Sequence, residues 1–154
     1  MLKTFLILVL AIHCVVGTCD EGWVEYSGFC YSFNPELLNW HLAGASCLVH
    51  GGRLVKIEGQ AEQDWIAGQL RQRKFTEAWI GGSSRLHKGS WRWIPSNLKI
   101  QYTNWYPNEP NNAQTENPIP ANGEDCIHLG GTELKWNDRW CGKEFNFICE
   151  KKAT

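Results

Sequence analysis

"YPNEPNNAQTENPIPANGEDC", Tyr106 to Cys126, holds five Asn, four Pro and four acids, with little apolar surface. A stretch of this kind cannot order itself by burying side chains. Its oxygen-bearing residues instead suit turns, loops and cation ligation. Long irregular segments inside a compact chain are usually functional or disordered. The fold must therefore accommodate a large polar loop, from about Pro95 to Glu124, on a scaffold built by the segments around it.

Upstream, two helical patterns appear. Asn39 can cap a helix. Trp40, Ala43, Gly44, Cys47 and Leu48 then fall on one helical face, and Gly51-Gly52 ends it. The Pro35 turn leads in with Leu37. A second helix is expected from about Gln60 to Arg73, with Ala61, Trp65, Ile66 and Leu70 as its apolar face. "CDEGWVEYSGFCYSF", 19–33, suggests a short hairpin closed by Cys19 and Cys30. "RLVKI", 53–57, reads as a strand. From Phe75 onward short strands alternate with polar loops: 78–82, 90–94, 126–130, 134–138 and 145–150. Helices early and a loop-rich sheet late make an α+β pattern. With 154 residues the chain makes one domain.

The first residues, "MLKTFLILVLAIHCVVGTCD", combine Lys3, an apolar run from Phe5 to Ile12 and small residues near Gly17. This is expected to be a secretory signal peptide, 1–17, leaving 18–154 as the mature domain. The run is short of the ~20 residues that span a bilayer, so a secreted, extracellular protein without membrane insertion is expected. A net charge of −1 offers no basic face for nucleic acid. Of seven Cys, Cys14 lies in the leader. The remaining Cys19, Cys30, Cys47, Cys126, Cys141 and Cys149 are an even set in an exported chain, which means disulfides, and spacing alone does not choose the pairing. No CxxC pair and only scattered His argue against zinc.

Glu109, Asn111, Glu124, Asn137 and Asp138 all carry carbonyl or carboxylate oxygens. Ca²⁺ takes six to eight such ligands in irregular geometry. One ion could join the 105–124 loop to the turn at 137–138.

"WIGG" (79–82), "NW" (104–105), "EPN" (109–111), "EDC" (124–126), "WND" (136–138) and "CGKEFNFICE" (141–150) together resemble the C-type lectin domain, in the right order over nearly the whole mature chain. The resemblance implies a double-loop α+β fold with small antiparallel sheets and three disulfides: Cys47–Cys149, Cys126–Cys141 and, as the extra bridge of the long form, Cys19–Cys30. It implies Ca²⁺ held by Glu109, Asn111, Glu124, Asn137 and Asp138, with sugar contacts from Glu109, Asn111, Glu124 and Asn137. The EPN order resembles mannose-type sites (mannose, GlcNAc, fucose), and Tyr106 is a candidate aromatic contact. Pro110 is expected in a cis peptide.

This chain departs from the common pattern in two places. "AQTENPIPAN" lengthens the loop, so Glu116 competes with Glu124 as ligand; Glu124 is preferred because Asp125-Cys126 fixes it. The loop "GSSRLHKGS" after "WIG" contains no acid, so an auxiliary calcium site is expected to be absent or weakened, with Asp125 hydrogen-bonding locally.

Trp79, Trp105 and Trp136 read as core, and His128 as a structural His with its hydrogen bonds satisfied. No nucleophile constellation is present. Glu109 and Glu124 resemble a glycosidase pair, but metal ligation would depress their pKa values, so a non-enzyme is expected. The expected partner is carbohydrate on microbial or glycoprotein glycans; the alternative is a lectin-like module that binds protein or ice. Because one monosaccharide site is weak, a homo-oligomer is the expected route to avidity. No Asn-X-Ser/Thr sequon is present.

Overall fold

The computed structural model describes residues 17–113 and 123–154. Residues 1–16, all but the last of the expected leader, and Glu116 lie outside the described residues. None of the described helices is long and apolar enough to cross a membrane.

Strands β1 (Val24–Tyr26) and β2 (Phe29–Leu38) form the expected hairpin. Ser27 and Gly28 both take positive φ, 52° and 82°, which suits the two-residue turn of a right-twisted hairpin. Cys19–Cys30 staples it, with Cα atoms 5.6 Å apart. β2 continues through Pro35, where a turn is expected from sequence. Its register against the last strand breaks between Asn34 and Leu38, because proline cannot donate to the ladder. The Pro35 carbonyl accepts instead from Asn146 Nδ2 at 2.8 Å.

Helix α1 (Trp40–Val49) begins where Asn39 Oδ1 accepts from the Leu42 amide at 3.0 Å. It buries Trp40, Ala43 and Cys47, while Leu48 is exposed. The inward stripe is therefore narrower than the sequence periodicity suggests. Strand β3 is only Arg53–Leu54.

Helix α2 spans Gln60–Arg73, as expected. Its buried face is Gln63, Ile66, Ala67 and Leu70; Ala61 is exposed, and Trp65 is half-buried, stacked on Tyr26 at 4.4 Å. Gln63 is the departure from an apolar stripe. Its Nε2 donates to the Leu134 carbonyl at 3.0 Å, and its Oε1 accepts from Trp136 Nε1 at 2.7 Å. A buried amide persists here because all its partners are present.

The remaining strands are β4 (Ala78–Ser83), β5 (Arg92–Trp93), β6 (Leu98–Lys99), β7 (Cys126–Gly130), β8 (Lys135–Arg139) and β9 (Phe145–Lys152). β9 is the hub. It pairs antiparallel with β2 and β3 and parallel with β4, and β4 in turn carries β5 and the β7–β8 hairpin.

One apolar cluster joins α2 to Val55, Ile57, Ile80, Ile127, Leu129, Trp136 and Ile148. A second joins α1 to Trp79, Phe147 and two disulfides. Those are Cys47–Cys149 and Cys126–Cys141, with Cα separations of 5.4 and 5.2 Å. All three pairings are those implied by the resemblance. The result is a mixed sheet with two helices, one over each cluster.

Candidate functional site

The site is built where the 105–113 loop meets β8. Gln63 fixes Trp136, and Trp136 fixes the loop. The Trp136 amide donates to the Asn104 carbonyl at 2.8 Å, and the Tyr106 amide donates to the Trp136 carbonyl at 2.9 Å. Tyr106, the candidate sugar contact, is spent elsewhere. Its hydroxyl donates to the Gly130 carbonyl at 3.0 Å and accepts from the Glu133 amide at 3.2 Å. It anchors the loop to the β7–β8 turn.

Beyond that anchor the Glu109–Pro110 peptide is cis. The next two backbone amides turn onto one carboxylate: Asn111 N donates to Asp138 Oδ1 at 3.1 Å and Asn112 N to Asp138 Oδ2 at 2.8 Å. Asn111 Nδ2 donates to Glu109 Oε1 at 2.8 Å, and Asn111 Oδ1 accepts from Ala113 N at 2.7 Å. Across the loop, Glu124 N donates to Asn112 Oδ1 at 2.8 Å. Gly123 permits that approach. Its φ is +69°, and a Cβ there would lie 2.1 Å from Asn112 Oδ1. Arg139 Nη1 donates to Glu124 Oε1 at 3.3 Å.

Glu109, Asn111, Glu124 and Asp138 are thus drawn together, and Asn137 precedes Asp138 on β8. Glu124 and Asp138 are buried. Burial first, then the facing Asp138 carboxylate and the Glu124 charge, push the Glu109 carboxyl up to about 7. Burial likewise raises Glu124, with Asp138 adding to the rise and Arg139 opposing it. This is a crowd of acids short of positive charge.

Two buried acceptors, Glu109 Oε2 and Asn137 Oδ1, have no hydrogen-bond donor among the described residues. Buried acceptors of that kind call for a donor or a cation. The donor set is three carboxylates and two amides, all oxygen, which fits Ca²⁺ in ligand type and not Zn²⁺. Against this, both Asp138 oxygens already accept backbone N–H groups, and Glu124 already faces a guanidinium. Among the described residues no group of three or more His, Cys, Asp or Glu side chains stands arranged to hold a metal ion. The amide ligands fall outside that count, and a cation would replace contacts now made by chain donors.

Asp125 hydrogen-bonds locally, as expected: Ser84 Oγ donates to its Oδ1 at 2.9 Å, and Lys88 Nζ pairs with its Oδ2. His128 departs from expectation. It is buried on β7, stacked on Phe145 at 4.8 Å, yet neither ring nitrogen makes a well-formed hydrogen bond among the described residues. Burial, with the nearby Arg139 charge, pushes its pKa down to about 3. Trp79 and Trp136 are fully buried, while Trp105 is half-buried against Trp136. Gln63, Asn112, Lys88 and Arg139 are the residues that sequence reasoning missed. Asn112 and Arg139 directly follow the singled-out Asn111 and Asp138, so adjacency was the available signal.

The model of the Lectin C-type domain matches residues 36–151. C-type mannose receptor 2 of Mus musculus is 33% identical over 133 residues, 86% of this chain, but the chain spans only 8% of that protein. A perlucin-like protein of Mytilus galloprovincialis is 33% identical over 135 residues, 85% of this chain and 81% of that protein. Among solved structures, the cow C-type carbohydrate-recognition domain of CD23, determined with a GlcNAc2Man3 oligosaccharide, aligns with TM-score 0.77 and 33% identity over 90% of this chain and 98% of that one. A calcium-independent type II antifreeze protein aligns with TM-score 0.79 and 26% identity over 92% and 100%.

Proposed function

The chain belongs to the C-type lectin domain family, and from that premise we propose that it is an exported, calcium-dependent sugar-binding module. In this reading Glu109, Asn111, Glu124, Asn137 and Asp138 hold the ion, and mannose-type sugars are the ligand. The observation that carries it is the buried oxygen Glu109 Oε2, without a donor among the described residues and within a group of acids short of positive charge, with a second such oxygen, Asn137 Oδ1, on the residue before Asp138.

When bound, Ca²⁺ supplies vacant coordination places for two adjacent hydroxyl oxygens of a pyranose. The chain's own residues do the rest. Each hydroxyl needs one donor and one acceptor. Asn111 and Asn137 can each turn their oxygen to the ion and keep an NH₂ as donor. Glu109 and Glu124 can each turn one oxygen to the ion and keep the other as acceptor. The order acid–Pro–amide sets the polarity of this arrangement, and in the family that order accompanies mannose-type sugars. The likeness to a C-type mannose receptor and to the cow domain determined with a GlcNAc2Man3 oligosaccharide supports the sugar class. The family is one of binding modules, and no turnover is proposed. A homo-oligomer would supply avidity.

A second reading has its own support. The carboxylates of Asp138 and Glu124 are already held by chain donors, and a calcium-independent antifreeze protein shares the fold. In that reading the loop is structural, and the ligand is protein or ice. Retention on mannose-agarose with elution by EDTA is expected from the first reading. Retention unaffected by EDTA, or none at millimolar calcium, sinks it.

A further inference from the structure

We propose that Lys88 is a positioning residue for the cation site, acting through Asp125 to hold the Glu124 arm in place before any cation binds. Asp125 lies next to Glu124 and is buried, with its side chain only 5% exposed. Burying a carboxylate costs free energy unless it is paired and hydrogen-bonded. Among the described residues its partners come from the end of β4 and the loop that follows. Lys88 Nζ takes Oδ2 and Ser84 Oγ takes Oδ1. The Asp125 carbonyl accepts from Ser83 Oγ at 2.8 Å and from Ser84 N at 3.0 Å. β4 and β7 are also in register here, Ser83 opposite Cys126. The 83–88 segment therefore grips residue 125 by backbone and by side chain.

The grip borders the site directly. A cavity of about 260 Å³ lies between the 84–91 loop and the binding loop, lined by Lys88, Trp91, Pro110, Glu124, Asp125 and Asp138 among others. Lys88 stands on one wall of this cavity and the Glu124 and Asp138 carboxylates on another. Glu124 is thus fixed by Asn112 on its backbone, by Arg139 on its carboxylate and by the Lys88–Asp125 pair through its neighbour. Of the residues that fix it, Lys88 is remote from every proposed ligand in sequence, so it can be changed without altering one.

The inference rests on the proposed cation site, and the test separates the two. Lys88→Met and Lys88→Arg would be compared with the wild type by hydrogen exchange in EDTA and by calorimetric calcium titration. Lys88→Met is expected to speed exchange at residues 84–90 and 123–126 in EDTA. It should also weaken calcium binding severalfold, less than the tenfold or more that loss of a ligand's direct partner costs, because Lys88 acts through Asp125. Lys88→Arg, which keeps the charge, should stay near wild type in both. Unchanged exchange in Lys88→Met, or equal effects from Met and Arg, overturns the role given to Lys88. A wild type that takes up no calcium overturns the cation-site reading itself, while exchange in EDTA still decides whether Lys88 pins residues 123–126.

Discussion

Replacing His128 with leucine should stabilise this protein at acid pH, and the gain should grow as the pH falls. The imidazole is buried, and neither nitrogen makes a well-formed hydrogen bond among the described residues. A buried polar group left unpaired costs about 1–3 kcal/mol. Leucine removes that cost and is close to histidine in volume. It forfeits the stack on Phe145 and the edge contact with Trp79 at 5.9 Å, aromatic pairs worth roughly 0.5–1.5 kcal/mol. With two such pairs lost, the terms nearly cancel at pH 7, and the variant should lie within about 1 kcal/mol of the wild type there. The pH term has a definite sign. A histidine with a folded pKa of about 3 against 6.5 unfolded contributes stability that is present above pH 6.5 and lost as pH falls toward 3. At pH 4 the wild type has lost about 3 kcal/mol on this account, and the leucine variant has lost none. Other titrating groups are common to both proteins and cancel in the difference. Urea denaturation followed by the fluorescence of the nine tryptophans, in EDTA at pH 7, 5.5 and 4, measures it. Parallel stability curves for the two proteins, or a variant less stable at pH 4, would refute the placement of a bare imidazole in this core.

Exchanging the donor and acceptor, Glu109→Gln with Asn111→Asp, should shift sugar preference from mannose toward galactose without unfolding the domain; a glycan array with and without calcium would read it, and unchanged specificity defeats the donor–acceptor argument. Glu109 has a folded pKa of about 7 against 4.5 unfolded, so the folded chain holds an extra proton between those values. In EDTA its contribution to stability is therefore present at low pH and lost as pH rises through 7, while calcium affinity falls about tenfold per pH unit below 7 as the ion competes with that proton. Calorimetric titrations at pH 5.5, 6.5 and 7.5 check the second effect, and a flat affinity contradicts it. Gln63→Leu strands the Trp136 indole N–H and the Leu134 carbonyl, and should cost about 1–3 kcal/mol per stranded group in urea midpoint; it should also weaken sugar binding, because Trp136 carries the binding loop.

Local signals were strong where a side chain acts on its own backbone. Asn39 announces the start of α1, and the Gly51-Gly52 pair its end. The limits of α2 and of β7 follow from periodicity and turn residues. Signals were weak where the decisive partner is distant. Gln63 looks like a solvated helix residue until Trp136, far along the chain, supplies its second hydrogen bond. Leu48 fits the apolar stripe of α1, yet the helix turns it outward because Trp40, Ala43 and Cys47 fill the space over β9. The run through Pro35 looks like a turn, yet β9 offers a ladder that tolerates a break.

The order of residues alone determined that this is an α+β domain with six cysteines from Cys19 onward, and which oxygens were candidates to meet a cation. Those properties depend on short-range periodicity, on turn chemistry and on the identity of donor atoms. Tertiary structure decided which charges face those oxygens: Arg139 against Glu124, Lys88 against Asp125, and backbone amides against Asp138. It also left His128 without a well-formed hydrogen bond among the described residues. Coulomb and hydrogen-bond energies depend on separation in space, and only the packed sheet brings residues 84–88, 109–112, 123–125 and 137–139 within a few ångströms of one another.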